Sequence, residues 1–145
     1  MNEVKLNSKV KYVKSPKYIT FEGDNIKVVN DINQAVEELK KGNEIARFEF
    51  GDSMHPVLKN GEYGVVVPIS INDVNIGDAV LCEVNGYLMT HMVMMVSDSA
   101  KDGRQVLIGN THMQFYGWTD KVYGGVMGTN IIEMNDFQEI EEISQ

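Results

Sequence analysis

A mainly β, partly closed architecture with one N-terminal helix is what this sequence predicts. Three features carry the prediction: short β-type apolar runs from Glu44 to Gly128, Asn-Gly and Asp-Gly pairs between them, and one amphipathic segment ahead of them. At 145 residues the chain can bury one core, and two domains of normal size would each lack an interior.

The opening stretch alternates lysine with Val, Tyr and Ile from Val10 through Lys17 and on to Val29, interrupted by Pro16 and by Glu22-Gly23-Asp24-Asn25. It predicts two short strands joined by a turn. From Asp31 to Gly42 the spacing of Ile32, Val36 and Leu39, a polar cap at Asn30 or Asp31, acids ahead of bases and a closing glycine predict a helix. The strands expected next are 45–50, 64–69, 78–84, 87–96, 104–108 and 121–127, separated by turns at Asn60-Gly61, Asn85-Gly86 and Asp102-Gly103. After Asn130 the tail holds Glu133, Asp136, Glu139, Glu141 and Glu142 and no base, which reads as a solvated end. The organisation expected is therefore residues 1–44 packed on or appended to the core, a β domain over 45–130, and an acidic tail over 131–145.

With 21 acidic and 13 basic residues the formal net charge is −8, which argues against a surface built to neutralise phosphates or anionic lipid. No nucleic-acid partner is expected. Cys82 is the one cysteine, so no internal disulfide can form, and a reducing compartment is the simplest home. Its neighbours Val80, Leu81 and Val84 mark it as a buried thiol rather than a nucleophile. No stretch approaches the ~20 apolar residues of a membrane span, and the first residues lack the apolar core of a secretory signal. The expected location is cytoplasmic or virion-associated.

The segment that could carry chemistry is Phe48-Glu49-Phe50-Gly51-Asp52-Ser53-Met54-His55-Pro56. A serine at a bend just after a strand can aim its hydroxyl and its own N–H at one point, as acyl transfer requires of a nucleophile and its oxyanion donor. On spacing alone, a turn serine bonded to its neighbours fits as well.

Gly51-Asp52-Ser53-Met54-His55-Pro56 resembles the nucleophile box of the superfamily that holds the type I signal peptidases and the self-cleaving SOS-type (LexA-like) repressors. Further boxes follow in the same order. Asn60-Gly61-Glu62-Tyr63-Gly64 is similar to the turn and strand after the nucleophile, with Glu62 where Asp is usual. Asn75-Ile76-Gly77-Asp78-Ala79 resembles the Gly-Asp-apolar box, and Thr90-His91-Met92-Val93 the segment of the general base. Residues 106–110 and 122–128 resemble the closing strands. The resemblance implies a coiled β-sheet body and a serine endopeptidase that cleaves a protein or peptide substrate. In it Ser53 is the nucleophile, His91 the base, Met54 and Pro56 contact substrate, and no cofactor or metal is needed.

Two departures stand out. The base is a histidine where bacterial signal peptidases and the repressors have lysine, as in the eukaryotic and archaeal branch. An imidazole with an ordinary pKa near ~6.5 is mostly neutral at pH 7 without heavy burial. Gly51 also stands where many signal peptidases supply an oxyanion hydroxyl, leaving backbone N–H groups to form the hole. Asp120 is the carboxylate expected to orient His91; a surface acid would explain it equally well. Strand alternation places His91 on one face with Met89, Val93 and Met95. A core histidine satisfied by a backbone carbonyl is the alternative for His91. His55 is expected to be exposed or to face substrate, and three histidines without suitable thiol or carboxylate spacing make no zinc site.

Two other functions compete with the peptidase. One is an inactive relative serving as a structural or assembly module, for example in a bacteriophage particle. The other is a self-cleaving repressor, which residues 1–44 disfavour because they hold one helix and not a DNA-reading pair.

Overall fold

Turn chemistry and side-chain alternation set the strand pairing. The computed structural model describes residues 3–7, 11–14, 16–48, 63–99, 101–130 and 138–139, with side chains for 16–48, 63–99 and 101–128. In chain order the elements are β1 (Glu3–Asn7), β2 (Lys11–Lys14), β3 (Tyr18–Phe21), β4 (Asp24–Lys27), α1 (Ile32–Lys40), β5 (Ile45–Phe48) and β6 (Tyr63–Pro68). A 3-10 turn at Ile71–Asp73 precedes β7 (Ala79–Val84), β8 (Tyr87–Ser99), β9 (Gly103–Gly109), β10 (Phe115–Thr119), β11 (Val122–Asn130) and β12 (Gln138–Glu139).

The fold is mainly β with antiparallel sheets that do not close. The body is a seven-stranded sheet in the order β10-β9-β8-β7-β11-β6-β5. Asn85 and Gly86 join β7 to β8 with φ of 51° and 87°, the doubly positive backbone of a type I′ hairpin, and they place Val84 opposite Tyr87. The β3–β4 hairpin attaches to β5 through a parallel bridge between Val28 and Ala46. β1, β2 and β12 form a separate three-stranded sheet. The acidic tail read as solvated thus contributes Gln138 and Glu139, paired with Lys14 and Val13.

Helix α1 starts where Asp31 accepts the Gln34 N–H at 3.0 Å. Its apolar stripe, Ala35, Val36 and Leu39, buries against Ile45, Val66 and Leu81. The opposite face of the sheet holds a second core of Val74, Val80, Cys82, Val84, Val93, Val106 and Ile108. Burial in this core pushes the Cys82 thiol up to about 12, so it stays protonated and inert, as the sequence suggested.

Gly124 on β11 lies under the helix, where a Cβ would come within 2.7 Å of a Val66 methyl, 2.9 Å of Leu39 Cδ1 and 2.9 Å of the Val67 carbonyl oxygen. Gly124→Ala is therefore expected to destabilise the fold by about 1–3 kcal/mol through overpacking. Urea unfolding checks this, and an unchanged midpoint would mean that the helix shifts freely.

Candidate functional site

Ser53, Met54, His55 and Pro56, with the rest of residues 49–62, lie outside the described residues. The residues that flank this stretch are described. Phe48 at the end of β5 donates its N–H to Asn30 Oδ1 at 2.8 Å, and its ring meets Tyr63 edge-on with centroids 5.1 Å apart. Arg47 donates from one guanidinium nitrogen to the Asn30 carbonyl and from the other to Thr90 Oγ1, both at 3.3 Å. β5 and β8 are at different places in the sheet order, with β7, β11 and β6 between them. The Arg47–Thr90 bond therefore records how far the sheet curls on itself.

His91 follows Thr90 on β8 and turns its side chain to the other face. It pairs with Val80 across β7, between the pairs Cys82–Met89 and Ala79–Met92. Paired residues share a face, so the ring sits over the core of Val80, Cys82 and Val93. Half-buried there, it is stacked on Tyr116 of β10, with centroids 4.5 Å apart and planes 22° from parallel. Burial lowers its pKa below the ordinary 6.5, so the imidazole is neutral and able to accept a proton at pH 7. Of the two ring nitrogens only Nδ1 is both buried and without a hydrogen-bond partner. The backbone carbonyl that would satisfy a core histidine is therefore missing at that atom.

Alternation does not continue to Met95. A bulge between Val93 and Met95 sets two residues of β8 against one of β9, so Val93 faces Ile108 while Met95 faces Leu107 on the opposite side. Met95 is accordingly 52% exposed, and it does not share a face with His91 as the sequence predicted. Met89 packs into the core beneath His91, and Met92 packs against Ala79.

Asp120 is not beside His91. β11 is registered on β7 with Val122 opposite Cys82 and Gly125 opposite Val80. Gly125 is level with His91 and Val122 with Met89, and Asp120 precedes β11 by two residues, beyond that level and with β7 lying between β11 and β8. Asp120 is exposed, and its carbonyl accepts the Val122 N–H at 3.2 Å. The sequence could not show this, because the register of β11 depends on a contact with a strand forty residues earlier.

The residues found beside His91 were not expected. Asn110, 1% exposed, accepts the N–H groups of His112 and Gln114 at 2.9 and 3.1 Å through Oδ1. Its Nδ2 donates to Gln114 Oε1 at 2.8 Å and to the Tyr116 hydroxyl at 3.0 Å. The Tyr116 carbonyl accepts from Asn85 Nδ2 at 3.4 Å. A buried Asn one residue past an apolar strand was the available signal, since buried amides need all their partners.

Elsewhere, a groove of about 530 Å³ lies between α1 and β8, lined by Asn33, Gln34, Val36, Glu83, Leu88 and Tyr123 among others. Leu88 shares a face with Thr90, so this groove opens on the other side of β8 from His91. At its edge Lys121 reaches Glu83 at 3.1 Å, which raises the lysine's pKa. Among the described residues no three His, Cys, Asp or Glu side chains converge as a metal site requires, and no helix is long and apolar enough to cross a membrane.

Comparison with protein-family models, with curated proteins and with solved structures finds no match for this chain.

Proposed function

We propose that this chain is a serine endopeptidase-like domain of the signal-peptidase and SOS-repressor type, with Ser53 as nucleophile and His91 as general base acting on a protein substrate. Ser53 attacks the peptide carbonyl while His91 takes its proton. The imidazolium then protonates the leaving amine, and water activated by the same imidazole clears the acyl-enzyme.

The observation that carries this reading is the curl of the sheet between β5 and β8. Arg47, six residues before Ser53, bonds Thr90, the residue next to His91. The five residues from Phe48 to Ser53 span at most about 17 Å. Thr90 and His91 point to opposite faces of β8, so the reading requires this segment to cross to the His91 face within that length. The neutral, half-buried ring adds support, since a base must be unprotonated at its working pH.

A tagged alkyl fluorophosphonate tests the proposal directly. The expected result is one covalent adduct, mapped by mass spectrometry to Ser53 and absent in Ser53→Ala. No adduct on the wild-type protein, or an equal adduct on Ser53→Ala, would overturn the reading. In that case a co-purifying partner held intact by both proteins would favour the assembly-module alternative.

A further inference from the structure

We infer that Tyr116, held through its hydroxyl by the buried Asn110, is a positioning residue that fixes the His91 ring in place of an orienting carboxylate. The inference rests on the role proposed for His91.

A base on a flexible side chain must be aimed, and serine hydrolases commonly aim theirs through a carboxylate bound to the second ring nitrogen. Here Nδ1 has no partner and Asp120 is several residues away along the sheet. What contacts the ring is a near-parallel aromatic plane at 4.5 Å. A stacked pair resists rotation of either ring about its last side-chain torsion, because tilting one plane opens a void against the other. Tyr116 can serve as such a plane because it is itself tied down at the hydroxyl and at its own carbonyl. Asn110 in turn is held by two N–H groups of the 110–114 loop. The chain of restraint thus runs from a loop clasp through an amide and a phenol to the imidazole.

Stacking has two opposed electrostatic effects. The phenol face would favour an imidazolium by a cation–π contact, whereas covering the ring strips it of water and favours the neutral form. The lowered pKa has burial as its cause. Among the described residues no charged group offsets it. On β7 the Cys82 thiol is neutral, and just before β7 the Asp78 carboxylate takes the Asn75 N–H at 2.8 Å. Asp98 on β8 is paired with Arg104 of β9 at 3.2 Å, seven residues along from His91.

Proton NMR of the full-length protein tests the inference without relying on activity. In the wild type the His91 ring protons are expected to show upfield ring-current shifts and cross-peaks to the Tyr116 ring. Tyr116→Leu is expected to abolish both and to raise the His91 titration midpoint toward the ordinary value. Tyr116→Phe, which keeps the stack but loses the tie to Asn110, should retain the cross-peaks and the titration midpoint while the ring-current shifts shrink as the looser ring averages its position. If Tyr116→Leu does not fold, the wild-type cross-peaks and the Phe variant decide the matter. Absent cross-peaks, or an unmoved titration in a folded Tyr116→Leu protein, would overturn the inference. The two readings fail separately: fluorophosphonate labelling with an unmoved titration rejects only the positioning role. The expected NMR changes without any labelling would reject the peptidase and leave Tyr116 as the residue that orients His91.

Discussion

Under the proposed function, replacing His91 with alanine is expected to slow acyl transfer at Ser53 by about 10²–10⁴-fold, the usual contribution of a positioned general base. The measurement is the rate of fluorophosphonate labelling across pH. In the wild type the rate should rise with pH as the imidazolium loses its proton. Burial holds the His91 pKa below 6.5, so the inflection should fall below pH 6.5. The alanine variant should lose that inflection and retain a slow rate supported by backbone oxyanion donors alone. An unchanged inflection in the variant would assign the titrating base to another residue. The same shift has a consequence for stability. His91 binds its proton less readily folded than unfolded, so the stabilisation is complete above pH 6.5 and is lost as pH falls through the folded pKa. Acid unfolding should therefore begin at lower pH in a folded His91→Ala protein.

The sequence disclosed what local chemistry determines. Asn85-Gly86 fixed one hairpin because two consecutive positive φ angles suit few other residue pairs. The helix was legible because Asp31 caps it and Ile32, Val36 and Leu39 repeat at helical spacing. Features that depend on partners distant in the chain were not. β10 escaped notice because Gly117 interrupts Phe115-Tyr116-Gly117-Trp118-Thr119 and the residues before it, Met113 apart, are polar. The bulge at Met94 is a mismatch between two strands and leaves no mark in either one. Asp120 drew attention as an acid in the right part of the chain, but strand register decides which residues are level, and register follows from the whole sheet. Tyr116 and Asn110 were missed for the same reason: their chemistry lies in which residues they meet.

Asn110→Ala is expected to destabilise the protein by roughly 2–4 kcal/mol, more than Gly124→Ala, because it removes two accepted and two donated hydrogen bonds at a buried site. The His112 and Gln114 N–H groups belong to exposed residues, and water recovers part of their loss. The half-buried Tyr116 hydroxyl loses the donor at 3.0 Å, and the loop loses the clasp that sets its path from β9 to β10. Tyr116→Phe removes only the bond from Asn110 Nδ2 to the hydroxyl and should cost about 1 kcal/mol. The two substitutions share that single bond, so the double variant should be less destabilised than the sum of the singles by roughly 1 kcal/mol. Equilibrium urea unfolding of the four proteins measures the difference. A coupling of zero would mean that the amide organises its loop without holding the phenol, and the His91 ring would then owe its orientation to the stack alone.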